Sequence, residues 1–245
     1  MLLFAPGALQ TGAMTSDVKH AARGTHPEDP PAGAFSAWLH RIRRAQVKDG
    51  AMDVPCGDCT ACCRSSYFIH VGPEETRTLT RIPPELQFPA PGKPEGTVLL
   101  GYDENGCCPM LVDAKCSIYA HRPQACRSYD CRIYPAAGIA PGDVDKEQLN
   151  ERAVSWRFSY PGRRDRDKHE ALKAAVVFLS DHPECFAADV TDSATQLALL
   201  AIRTYDVFLE HIKTGRQPPA DEVVSAVLQA TDAFEAKRRG PENRP

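Results

Sequence analysis

The chain has 245 residues, 42% hydrophobic and 25% charged, an ordinary globular composition with room for one large or two small domains. A net charge of −3 and an isoelectric point near 6.2 give no general push toward nucleic acid or anionic membrane, so neither is expected as a partner. No stretch reaches the ~20 apolar residues needed to span a bilayer.

Residues 1–33 are Gly, Ala, Pro and charge without periodicity and are predicted to be a disordered lead. Its opening, Met1 to Leu9, is apolar but short, lacks a basic start and is broken by Pro6 and Gly7, which makes a poor signal peptide; Met14 offers a second start. A reducing cytoplasm is therefore the expected compartment. There, dense thiols serve metal or redox chemistry rather than disulfides.

Phe35, Trp38, Leu39 and Ile42 then recur at helical spacing, with Arg41, Arg43, Arg44 and Lys48 on the other face and Gly50 as the stop. The cysteine-rich stretch that follows is one surface on which this helix can pack. It opens with Cys56-Gly-Asp-Cys59-Thr-Ala-Cys62-Cys63, four thiols within eight residues. Ser66 to Val71 reads as a strand. Gly72-Pro-Glu-Glu75 opens a helix, with Pro73 at its first position and two acids in its first turn, that ends before Pro83-Pro84. Gln87 to Gly96 is a Pro-rich loop and Thr97 to Leu100 another strand. Gly106 to Val112 and Cys116 to Tyr119 form a hairpin with its turn at Asp113–Lys115. Pro123 starts a short helix carrying Cys126 and Cys131.

Beyond Pro141 four helices are predicted: Lys146 to Trp156, Lys168 to Leu179, Ala194 to Ile212 and Asp221 to Lys237. The third puts Leu197, Leu200, Tyr205, Phe208, Leu209 and Ile212 on one face, with Asp192 or Ser193 as its cap and Gly215 as its end. Gly162 to Lys168 is a mixed-charge linker; an anion or RNA patch is the rival reading. The fold class is α+β: a small irregular cysteine-rich metal module with short strands, followed by a helical C-terminal region. The domain division is a lead over 1–33, a cysteine-cluster domain with its leading helix over 34–139, a helical region over 140–240 and a tail over 241–245.

The chemistry lies in the cysteines. Nine of ten fall between Cys56 and Cys131: Cys56, Cys59, Cys62, Cys63, Cys107, Cys108, Cys116, Cys126 and Cys131. Thiols two residues apart can turn their sulfurs to one point. Adjacent thiols diverge, so Cys62 and Cys63 cannot serve one mononuclear site equally, nor can Cys107 and Cys108. One four-ligand site would leave five of these nine thiols unused, and two sites would use eight, which favours two centres or one multinuclear cluster. The first cluster cannot fill two sites alone, so the Cys108–Cys131 half must supply ligands. All-thiolate ligation suits zinc and iron–sulfur alike. The C-x₂-C-x₂-C run is similar to the three-thiolate run of bacterial ferredoxins, and only one clean zinc-type knuckle exists, so an iron–sulfur cluster is favoured over zinc. Disulfides or inert buried thiols are the bland alternative. His70, His121 and Asp130 are occasional ligands at most, and Cys185 is an ordinary thiol.

Cys56 to Cys63, then Gly106-Cys-Cys-Pro-Met-Leu111, then Cys116-Ser-Ile-Tyr-Ala-His-Arg-Pro-Gln-Ala-Cys-Arg127 together resemble the CxxCxxCC zinc- or iron-chelating, YkgJ-like family. The resemblance covers about a third of the chain. It implies metal or iron–sulfur binding through Cys56, Cys59, Cys62, Cys63, Cys108, Cys116 and Cys126, with Cys107 and Cys131 additional to the pattern. A flagellin lysine methylase carries a similar cluster, so the resemblance leaves an enzyme possible without assigning one. Arg122 and Arg127 lie in the matched stretch, where they would offset thiolate charge, with Pro123 starting the helix. No Gly-rich nucleotide loop, Ser/His/Asp constellation or methyl-donor site is present. The expected function is therefore a metal-binding protein in a redox, metal-handling or accessory role with a protein or redox partner. The alternatives are a protein-modifying or group-transfer enzyme and a structural zinc module.

Overall fold

Phe35, Trp38, Leu39 and Ile42 are all buried along one face of helix α1 (Phe35–Lys48), so the apolar stripe is what the helix offers to the core. A computed structural model describes residues 30–48, 50–52, 54, 57–142, 144–186, 193–216 and 218–239; most of the expected lead, Cys56, Asp192 and the tail lie outside them. The face of α1 packs on helices α6 (Arg163–Asp181), α7 (Ala194–Thr214) and α8 (Ala220–Arg239), so its neighbours are the C-terminal helices. Helices α6 and α7 pack on each other, and Ala171 and Ala175 on α6 and Ala198 and Ala201 on α7 are all at zero exposure, small side chains of the kind that permit close helix approach. Ser193 Oγ accepts from the Gln196 N–H at the start of α7, and Gly215 closes it in the left-handed region at φ 67°.

Two expectations change here. Pro31–Ala34, mostly assigned to the lead, forms strand β1, which runs parallel to β7 (Arg157–Ser159). Gly162 to Lys168 is no linker. It is the cap and first turns of α6, because the Asp165 carboxylate accepts the Gly162 N–H at 3.2 Å and the Ser36 N–H of α1 at 2.9 Å. One acid thus anchors the starts of two helices, and those hydrogen bonds hold its carboxyl below the usual carboxylate range.

The cysteine-rich part has a smaller core of Val71, Ile82, Leu100, Met110 and Ile118. Three short strands cover it in the order β2 (Ile69–Val71), β4 (Val98–Leu100), β3 (Phe88–Pro89), all antiparallel. The strand expected from Ser66 is confined to β2, because Ser66 is left-handed at φ 52° and its N–H turns to the Gly106 carbonyl. The expected Gln87–Gly96 loop contributes β3, with Pro89 on an edge strand where its missing donor costs nothing. Helix α2 (Thr76–Leu79) is a single turn and Pro73 precedes it. The hairpin is present as β5 (Leu111–Val112) and β6 (Lys115–Cys116), turning at Asp113 and Ala114, both left-handed at φ 49° and 58°.

Pro123 leads into helix α3 (Gln124–Ser128), which carries Cys126 but not Cys131. The chain turns at Asp130 and continues into α4 (Ile133–Ala137) and, after a break, α5 (Glu147–Ser155). Arg132 grips Asp130 through two 2.8 Å contacts, and the Trp38 indole donates to the same carboxylate at 2.9 Å. This buried pair ties the cysteine-rich part to α1. The molecule is α+β: a cysteine-rich part of short strands and a helical C-terminal region. Among the described residues no helix is long and apolar enough to cross a membrane.

Candidate metal centre

Four local structures aim thiols into one cleft. The turn at Gly57 and Asp58 delivers Cys59, and a 3₁₀ turn at Ala61–Arg64 carries Cys62 and Cys63. That turn is pinned from inside: Ala61 is buried, and the Ser65 hydroxyl donates to the Ala61 carbonyl at 2.7 Å. Cys108 precedes the hairpin, Cys116 sits on β6 and Cys126 on α3. The Cys108 N–H donates to the Cys63 carbonyl at 2.7 Å, a backbone bond that joins the two cysteine stretches. Cys59, Cys62, Cys63, Cys108, Cys116 and Cys126 all line a cleft of about 400 Å³. Met52, Val54, Leu100, Met110 and Ile118 make its apolar wall, and Lys115, Arg122 and Tyr129 also face it.

The adjacent pairs divide unequally. Cys108 faces the cleft, whereas Cys107 is absent from its walls; its sulfur lies 3.8 Å from the Arg64 guanidinium and its N–H is held by the Asp103 carboxylate. Cys63 is half-buried in the cleft and Cys62 is exposed. Cys131 does not join the group. It is buried in the large core, where the Trp156 indole donates to its sulfur at 3.1 Å. Cys56 lies outside the described residues. Among the described cysteines no disulfide forms, and Cys185 stands beside Glu184, away from the cleft.

The occasional ligands fare similarly. Asp130 is consumed by Arg132 and Trp38, His70 is exposed on β2, and His121 ends a 3₁₀ turn; none lines the cleft. Of the two arginines expected to offset thiolate charge, Arg122 faces the cleft, its guanidinium 4.1 Å from the Tyr119 ring. Arg127 does not: it bonds Gln124 and the Arg122 carbonyl, and lies 3.6 Å from Glu75, bracing α3. Glu75 also accepts from the Gln124 and Gly72 N–H groups, so it fastens α3 to the strands. Arg64 was not legible as a site residue, although its place directly after the paired cysteines was the available signal; its charge helps lower the Cys63 thiol.

Burial pushes the Cys108 thiol up to about 11 and Cys126 up to about 12, with neighbouring thiols adding to both, and raises Cys116. Cys63 runs the other way, to about 7, chiefly through a hydrogen bond from the Cys62 thiol and against the effect of burial. Thiolates here would crowd one another in a half-dry cleft, and a bound cation reverses that cost. The donor set, six soft sulfurs from two cysteine stretches, fits zinc or iron. Among the described residues no three Cys, His, Asp or Glu side chains already stand as a metal-holding group.

Residues 55–155 match the family model described as "CxxCxxCC: Putative zinc- or iron-chelating domain". This segment is a CxxCxxCC domain. The match runs past the last cleft thiol through α4 and α5, so the CxxCxxCC domain includes helices that pack in the large core. No curated protein and no solved structure matches the chain.

Proposed function

We propose that the CxxCxxCC domain holds an iron–sulfur cluster, with zinc as the rival, and that the protein serves a redox, metal-handling or accessory role in a reducing cytoplasm. The observation that carries this reading is the meeting of six thiols from two cysteine stretches, separated in sequence by an entire three-stranded sheet, in one cleft. Cys59, Cys63, Cys108, Cys116 and Cys126 are the ligands favoured by position, with Cys62 at the exposed side and Cys56 as a further donor. An iron–sulfur cluster would supply one-electron chemistry; zinc would supply cross-linking alone. The protein's own part is to present thiols, to limit water and to place Arg122 and Arg64 where they offset thiolate charge. The expected partner is a protein, a redox protein if the cluster is iron–sulfur.

An enzyme is the second reading, favoured by the apolar wall of Met52, Val54, Leu100, Met110 and Ile118 opposite the thiols. A cleft of this size and lining has room for a small organic group beside a metal. The deciding measurement is metal and acid-labile sulfide content, with the visible spectrum, on anaerobically purified protein. Iron with sulfide and a brown charge-transfer band supports the cluster. Stoichiometric zinc without colour moves the domain to a structural role, and neither metal nor sulfide overturns both readings.

A further inference from the structure

A second cavity, of about 440 Å³, opens between the first turns of α6 and the last turns of α7, apart from the thiol cleft. Arg163, Arg164 and Lys168 enter it from α6 and Lys213 from α7. Two acids also face it, and both have partners. Asp206 is held by Arg43 of α1 at 2.6 Å, and Asp167 lies 3.7 Å from Arg163. Arg164, Lys168 and Lys213 have no carboxylate within ion-pair reach among the described residues; Asp206 and Asp165 offset Lys168 only from farther off, and the cavity's four cations outnumber its two acids. Tyr205 and Leu209 supply its apolar lining.

A solvated helix face, the plain alternative, would spread its charges outward or pair them. Here Lys168 is half-buried, and burial and the nearby Arg164 guanidinium pull its ammonium below the usual lysine range. Like charges are kept together against their own repulsion, which a bound anion would relieve. The volume suits a small molecule rather than a single ion. We propose that this cavity binds a phosphate-bearing small molecule, its phosphoryl oxygens on Arg164, Lys168 and Lys213 and its ring or chain on Tyr205 and Leu209. This site is independent of what the cysteines hold.

The test is calorimetric titration of the full chain with phenyl phosphate, with inorganic phosphate as the comparison. Saturable binding with one site is expected, tighter for phenyl phosphate and weakened by added salt. Arg164→Met and Lys168→Met should each weaken it about tenfold, the loss of one charge-assisted hydrogen bond. Arg164 is exposed, so its variant stays informative if Lys168→Met fails to fold. Absence of saturable binding, or unchanged affinity in Arg164→Met, overturns the proposal. So does retardation of a short single-stranded RNA that Arg164→Met abolishes and phenyl phosphate does not displace, which would make the patch a nucleic-acid surface.

Discussion

The Trp156 indole donates to the Cys131 sulfur at 3.1 Å, inside a core where Trp156 is 2% exposed and Cys131 8%. Arg152 lies over the same indole at 4.3 Å and Arg132 at 5.7 Å, so Cys131 belongs to a packed aromatic–cation group and not to the thiol cleft. Cys131→Ala should therefore leave metal content unchanged while lowering stability by about 1–3 kcal/mol, from a small cavity and a stranded indole N–H. Metal assay and chemical denaturation of the same preparation check both halves.

The two adjacent pairs should separate cleanly. Cys108→Ser is expected to strip most of the metal and Cys107→Ser to retain it, because only Cys108 faces the cleft. Cys59→Ser should behave like Cys108→Ser and leave the helical core folded, since that core rests on α1, α6, α7 and α8. Metal per chain and far-ultraviolet circular dichroism distinguish the cases; equal loss from Cys107→Ser and Cys108→Ser would refute the assignment.

Asp130→Ala removes the partner of a guanidinium that is 2% exposed. The uncompensated Arg132 charge should cost about 3–5 kcal/mol, and the double variant Asp130→Leu/Arg132→Met should recover much of it. Equilibrium unfolding in urea measures both.

His169 should make the fold acid-sensitive. Its ring stacks on Phe35 at 4.5 Å, the Tyr160 hydroxyl meets its Nδ1 at 2.7 Å, and burial, with Lys173 nearby, lowers it to about 4. The folded protein thus resists the proton that the unfolded chain takes up near pH 6.5. Its contribution is complete above that pH and drains away as pH falls toward 4, by up to about 1.4 kcal/mol per pH unit. His169→Gln should flatten this part of the melting-temperature profile between pH 7 and 4, measured against the parent.

Ala114 occupies a hairpin position at φ 58°, where an L side chain is disfavoured. Ala114→Gly should stabilise the metal-free protein by about 0.5–1 kcal/mol, seen as a higher melting temperature; a lower one would show that the turn has no strain to release.

What could be read from the sequence was what periodicity and spacing encode. The apolar stripes of α1 and α7 and the convergence of the two cysteine stretches needed no tertiary information. The start of α6 was hidden because Gly162 to Lys168 carries charge and no stripe, and its cap depends on Ser36, far away in the chain. Cys126 and Cys131 are alike as letters, and only the turn at Asp130 sends one to the cleft and the other to Trp156. Asp130 read as a spare ligand because its partners, Trp38 and Arg132, become neighbours only on folding. The position of Arg127 was visible while its direction was not, since Glu75 and Gln124 set it.

Among the described cysteines Cys62 alone is exposed, while Cys126 sits well back on α3 in the same cleft. The thiols therefore form a gradient of access. An ion handed over by another protein, or an oxidant arriving from solvent, meets Cys62 more readily than the half-buried thiols that share its cleft. The same sulfur that would begin loading the domain is also where damage to it would begin.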